Sequence, residues 1–234
     1  MSPQALKARK GEETRAQILD AAVQQASEAG FESLTIGTLA TRTGLSKSGL
    51  FAHFGSRTEL QVAALDEAAR RFTEAVFLPA FQVPRGLRRL RALFENWVTW
   101  PEHAQLRGGC PIHAASAEYD DQPGPMRDAV VDRQRLVARE LAKAVQMAVD
   151  SGELRGDTDA SQFVFEMFGV ILAYYHTQRV LGDSSALARA RRLRAARGGA
   201  PRFPARAFPR NPSRGPRPLI PTEVSHARLR FDHE

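Results

Sequence analysis

The sequence predicts an all-α chain: an N-terminal three-helix unit built around a helix-turn-helix, followed by a larger helical domain. Three observations carry this. Apolar residues recur at spacings of three and four in one segment after another, the period of a helix buried on one side. Glycine and proline cut those segments at their ends. Between Thr35 and Leu60, "TIGTLATRTGLSKSGLFAHFGSRTEL", lie two back-to-back helical runs too short to hold themselves together in water. The parts expected are a flexible arm over 1–11, the three-helix unit over 12–72 with its helix-turn-helix at about 35–54, a helical domain over 73–194, and a tail over 195–234.

The first helix runs from about Glu13 to Ala29, with Ile18, Leu19, Ala22, Val23 and Ala26 on one stripe. Gly30 suits the left-handed residue after a helix, and Phe31 can fold back on the last turn. Helix two opens at Thr35 as N-cap, turns Ile36, Leu39 and Ala40 inward, and closes at Gly44. Leu45 fills the corner, Ser46 caps helix three, and Leu50 and Phe54 form its inner side. "SRTE", Ser56 to Glu59, has the form of a capping box, so a longer helix starts at Arg57.

The inner faces use up the apolar residues. By elimination the outward face of helix three carries Lys47, Ser48, Gly49 and either Ala52 or His53, slim enough to enter a major groove. The free N–H groups at the start of helix four, beside Arg57, suit a phosphate. Spacing alone also fits a purely structural pair of short capped helices.

From about Thr14 to Ala69 the chain resembles the DNA-binding domain of TetR-family transcriptional regulators. The residues that carry the resemblance are Thr35, Ala40, Gly44-Leu45-Ser46, Ser48-Gly49, Phe51-Ala52-His53-Phe54, Arg57 and Leu60. Two positions depart from the family pattern. Phe51 stands where a tyrosine hydroxyl can reach a phosphate, so it reads mainly as packing. Arg57 stands in place of lysine and should serve a phosphate as well or better. The resemblance implies backbone contacts near Thr35, Ser46, His53 and Arg57, and base contacts mostly from Lys47, Ser48 and Gly49. It also implies a homodimer on double-stranded DNA, and a repressor that a small apolar or aromatic effector releases by tilting helix four. Two equal heads on a two-fold axis then require an inverted-repeat operator.

Helix four continues through Leu60, Ala64, Leu65 and Ala68 towards Phe72 and Phe77, with Pro79 ending it. Pro84 to Trp100 follows, with Leu87, Leu90, Leu93, Phe94 and Trp97 on one face, before Pro101 breaks the run. Its Arg85, Arg88, Arg89 and Arg91 read as a solvated face rather than a second DNA site. A short helix, Pro111 to Glu118, precedes a long amphipathic one, Met126 to Val149. The last, Asp159 to Leu181, is apolar nearly all round and holds Gly169 in its middle, which is costly unless something packs close. Either a second subunit covers it in a four-helix bundle, through Phe163, Met167, Gly169 and Val170, or it is central in one subunit. Phe94, Trp97, Trp100, Phe165, Phe168, Tyr174 and Tyr175, with Cys110 and His113, could line an effector cavity, although the same spacing serves plain core.

Composition bounds the rest. With 43% hydrophobic and 25% charged residues the chain is ordinary for a globular protein, and no run of eighteen apolar residues exists for a membrane span. "MSPQALKARKGEETR" lacks the apolar core of a secretion signal, and Cys110 alone cannot form an internal disulfide; both fit the cytoplasm. The net charge of +7 is carried by the end of the chain: from Arg189 onward there are twelve arginines against Glu223, Asp232 and Glu234, and the remainder is slightly acidic. The tail has seven prolines between Gly198 and Pro221, so it should be disordered. It is either an extension holding nucleic acid nonspecifically or an artefact of a shifted reading frame.

Cys110 and His113 are too few for a zinc site, and no metal or cofactor is expected. Cys110 reads as a buried inert residue or, beside a helix start, as a thiol sensor of oxidants or electrophiles. No enzyme is expected either. Ser46 lacks the second glycine and the preceding strand of a nucleophile elbow, no phosphate-cradling loop or His-Glu-x-x-His is present, and Asp120-Asp121 is a solvated turn.

Overall fold

Ser2 starts the first helix. Its hydroxyl accepts the Ala5 N–H at 3.3 Å, Pro3 supplies the fixed φ of a first helical position, and α1 runs Pro3–Ala29. The structure, a computed structural model, describes residues 2–196; all but the first two residues of the tail expected over 195–234 lie outside them. The segment expected as a flexible arm is the first turns of α1. It has no apolar stripe, so periodicity gives no sign of it; good helix formers and an Arg9–Glu13 ion pair at 3.3 Å run through it instead.

A single 3₁₀ turn, Phe31–Ser33, leads into α2 (Ile36–Thr43), α3 (Lys47–Phe54) and α4 (Arg57–Phe72). Gly44 takes φ +70° between α2 and α3, a left-handed conformation that glycine adopts without strain. Ile18, Val23, Leu39, Leu50 and Leu60 are fully buried, so the three-helix core closes as the stripes require.

Two prolines do not stop their helices. A π turn, Thr73–Phe77, carries α4 into α5 (Leu78–Phe81), where Pro79 sits in the first turn and has no N–H to give the turn before it. Pro101 lies inside α6 (Leu87–His103). The carbonyl it leaves without a helical partner, that of Trp97, accepts the Tyr175 hydroxyl at 3.3 Å. α6 also starts later than the sequence suggests, at Leu87 after Gly86 with φ +94°.

Then come α7 (Pro111–Glu118), α8 (Pro125–Asp150) and α9 (Ala160–Tyr175), which a second π turn, His176–Val180, extends. α10 (Ala186–Ala196) is a helix that the apolar pattern does not announce. Its Ala186 and Ala190 are buried and Arg191 pairs with Glu95 at 2.9 Å. α4 and α9 both pack on α8, and α10 packs on α9. Among the described residues there is no strand, and no helix is long and apolar enough to cross a membrane.

Candidate nucleic-acid interface and effector cleft

Short helices need their ends satisfied, and these are. Thr35 and Thr38 form a reciprocal box: the Thr38 N–H donates to Thr35 Oγ1 at 3.0 Å and the Thr35 N–H to Thr38 Oγ1 at 3.1 Å. Ser46 Oγ accepts the Gly49 N–H at 3.1 Å and lies 3.2 Å from Ser48 Oγ. With Leu50 and Phe54 turned inward, Lys47, Ser48, Phe51 and Ala52 stand exposed on one side of α3, flanked by half-buried Gly49 and His53. Phe51 is 51% exposed, so its ring belongs to this outward face and not to the packing assigned to it from sequence.

Arg57 is committed elsewhere. Its Nε donates to the Leu34 carbonyl at 3.0 Å, and its Nη2 to the Glu32 carboxylate at 2.7 Å and to the Glu32 carbonyl. It thus braces α4 against the 31–34 turn. Hydrogen bonds from Tyr119 and then Arg57 hold the Glu32 carboxyl below the usual carboxylate range. Ser56 accepts the Glu59 N–H at 3.1 Å, but its own N–H goes to the Phe54 carbonyl, so only half the expected capping box forms. Arg15 fastens the far end of α3, donating to the His53 carbonyl at 2.8 Å while its guanidinium lies 4.4 Å from the centre of the Phe54 ring.

Most of the aromatic set is core. Phe94, Trp97 and Trp100 are buried, and Phe72 meets both tryptophans edge-on, with centroids 5.2 and 5.4 Å away. Phe168 packs edge-on against Trp97 at 5.2 Å. Phe165 faces outward, 73% exposed, away from the core that buries the tryptophans. Tyr174 and Tyr175 do line a cleft of about 350 Å³, walled also by Val98, Pro101, Leu106 and Gly109 and rimmed by Glu102, Arg107, Gln178 and Arg179. Periodicity identifies inward residues; it does not say where packing leaves a gap, so this polar rim is not legible from it.

His113 stacks on Tyr175 at 5.2 Å, and burial lowers its pKa. Cys110 Sγ accepts the His113 N–H at 3.4 Å as the N-cap of α7. The residue is buried and that burial pushes its thiol up, which disfavours the thiolate that a reactive sensor needs. The buried Trp100 indole N–H has no hydrogen-bond partner among the described residues. Among those residues no group of three or more His, Cys, Asp or Glu side chains could hold a metal.

Of the four residues expected at a subunit interface, only Gly169 lies on the open side of α9. Met167 is buried, and Phe163 and Val170 pack on the chain's own core. The outward line is Phe165, Gly169 and Leu172, continued by Val180 and Leu181, and a Cβ on Gly169 would meet nothing. A helix apolar nearly all round offers no contrast from which to tell its two sides apart.

The chain is similar to known proteins over both of its parts. Residues 18–64 match the family described as bacterial regulatory proteins, tetR family, and residues 86–193 match the tetracyclin repressor-like C-terminal domain. It is 28% identical over 182 residues to the HTH-type transcriptional regulator TtgR of Pseudomonas putida, covering 74% of this chain and 83% of that protein. A TetR transcriptional regulator from Chloroflexus aurantiacus superposes with a TM-score of 0.71 at 26% identity, covering 80% of this chain and 96% of that one. AibR, solved in complex with isovaleryl coenzyme A and operator DNA, shares the fold with a TM-score of 0.62 at 20% identity, over 76% of this chain and 95% of that one. A capped helix-turn-helix with its polar side uncovered, joined to a helical body that matches the family's second domain, makes this chain a member of the TetR family of DNA-binding transcriptional regulators.

Proposed function

We propose that two copies of the chain join through α9 and its extension, bind an inverted-repeat operator as a repressor, and release it when a small apolar or aromatic molecule enters the cleft beside Tyr174 and Tyr175. The observation that carries this reading is the outward side of α3, where Lys47, Ser48 and Ala52 are exposed on a helix whose inner side is locked in the core. Lys47, Ser48 and Gly49 meet base edges, while Thr35, Ser46 and His53 lie towards the phosphates and Phe51 offers its ring to a thymine methyl or a sugar. Arg57 acts behind the interface, holding the α4 N-terminus against the turn that carries α2. The apolar line Phe165–Leu172 supports a second copy as the partner that covers α9. The cleft volume of about 350 Å³ suits a compact effector rather than a polymer. AibR, with the same fold, is described with both operator DNA and an acyl thioester.

Selection of bound duplexes from a random pool, by the full-length protein, tests the reading. The expected result is an inverted repeat with half-site centres about 34–36 Å apart or a multiple of that spacing. Enrichment of no sequence, with random duplex held as tightly as any other, would falsify it.

A further inference from the structure

The body grips the reading head at a place other than the continuous α4. Ser27, in the last turn of α1, is buried against the loop between α6 and α7. Its Oγ accepts the Gly108 N–H at 3.0 Å and donates to the Gly109 carbonyl at 2.8 Å, so one hydroxyl satisfies two backbone groups of the loop. Backbone lies on backbone here: a Cβ on Gly108 would fall 1.4 Å from the Ser27 carbonyl oxygen. At the end of α7 the Glu118 carboxylate accepts the N–H groups of Phe31 and Glu32, each at 2.7 Å. Tyr119 donates to the Glu32 carboxylate at 2.7 Å, the same group that pairs with Arg57. The corner between α1 and α2 is therefore held by the body at two adjacent points.

The other side of the same loop is a wall of the cleft. Leu106, Arg107 and Gly109 line it, and Arg179 lies across Gly109, its Cδ 2.9 Å from where a Cβ would stand. Leu106 and Arg107 also line a groove of about 530 Å³ whose opposite wall is Gln24, Glu28 and Arg42 of the head. One short loop separates the cleft from the head, and no side chain at Gly108 or Gly109 can absorb a displacement by changing rotamer.

We propose that Ser27, Gly108 and Glu118 are positioning residues that set the angle of the reading head, and that the loop 106–110 is a strut through which an occupant of the cleft moves α1 and α2. This rests on the proposed DNA-reading function for its purpose, but its first test needs neither operator nor effector. A cleft occupant that displaces the loop breaks both bonds to the Ser27 hydroxyl together, which makes the contact two-state rather than graded.

The experiment uses full-length chains carrying nitroxides at Thr41→Cys on α2 and Arg88→Cys on α6, the native Cys110 being buried. Labelled chains are diluted into excess unlabelled ones, so that pulsed electron resonance reads the distance within one chain whatever its oligomeric state. Gly108→Ala drives loop and α1 apart and is expected to shift that distance. Gly156→Ala, where a Cβ meets nothing, is expected to leave it alone. On the selected operator, Gly108→Ala should bind about tenfold more weakly than Gly156→Ala. A cooperatively folded Gly108→Ala with an unchanged distance overturns the strut. If that variant does not melt cooperatively, Ser27→Ala, which removes both bonds without a clash, replaces it; a broadened distance distribution supports the strut and an unchanged one overturns it. Failure to select any operator would remove the DNA reading and leave the distance result standing.

Discussion

α3 and α9 are both covered on one side by their own chain and open on the other, and the two open sides differ in kind. α3 presents Lys47, Ser48 and Ala52 with the single ring of Phe51: small groups, hydrogen-bonding atoms and one charge. α9 presents Phe165, Gly169 and Leu172, and its extension adds Val180 and Leu181, each of these two at least 65% exposed. Apolar surface left in water is disfavoured by about 25 cal/mol per Å² relative to being covered, so the second face calls for another apolar surface. The first face, the Phe51 ring apart, costs little to leave wet and can exchange its water for base edges and phosphates. The chemistry of an uncovered side therefore separates the side proposed for nucleic acid from the side proposed for a second chain.

The strongest way to break the comparison is to charge the α9 stripe. Phe165→Glu with Leu172→Glu places like charges across a two-fold axis and should halve the mass seen by ultracentrifugation. Loss of the paired heads should cost on the order of 100-fold or more in operator affinity. A charged variant that stays dimeric would move the interface elsewhere. On α3, Lys47→Ala should weaken operator binding by about 1–3 kcal/mol, flatten the salt slope by about one ion, and leave the melting temperature alone. Arg57→Ala should do the reverse in emphasis: it loses bonds to Leu34 and Glu32, so a stability loss of about 1–2 kcal/mol should show in denaturant melts before any loss of binding contacts. Equal melting of Arg57→Ala and the parent chain would return that residue to the phosphate contacts.

The smallest effect is a pH slope from His113. Burial lowers its folded pKa below the ordinary 6.5, so as pH falls through 6.5 the unfolded chain takes up the proton first. Stability should be level above neutral pH and decline from about pH 6.5 towards the lower folded pKa. Melting scans from pH 8 to pH 5 on the parent and on His113→Gln check this, the variant being expected to lose the slope.

What can be read from sequence is local. The caps at Thr35 and Ser46 and the turn at Gly44 act within three or four residues, and each stands where the pattern puts it. Contacts reaching across the chain are invisible to it. Arg57 looks free for phosphate because Glu32 and Leu34 lie more than twenty residues before it, and Arg15 meets the end of α3 across 38 residues. The first turns of α1 read as an arm because they carry no apolar stripe. For α9, hydropathy is nearly uniform around the helix, so only the packed neighbours reveal which residues remain outside.

Pro101 carries a last consequence. Because the phenol of Tyr175 stands in for an amide the imino acid lacks, the two positions are tied although 78 residues part Trp97 from Tyr175. In a double-mutant cycle, Tyr175→Phe alone strands a peptide oxygen, whereas after Pro101→Ala a restored amide already occupies it. The loss from removing the phenol should therefore shrink by about 1 kcal/mol in the alanine background. Substitutions tolerated at either position depend on what occupies the other.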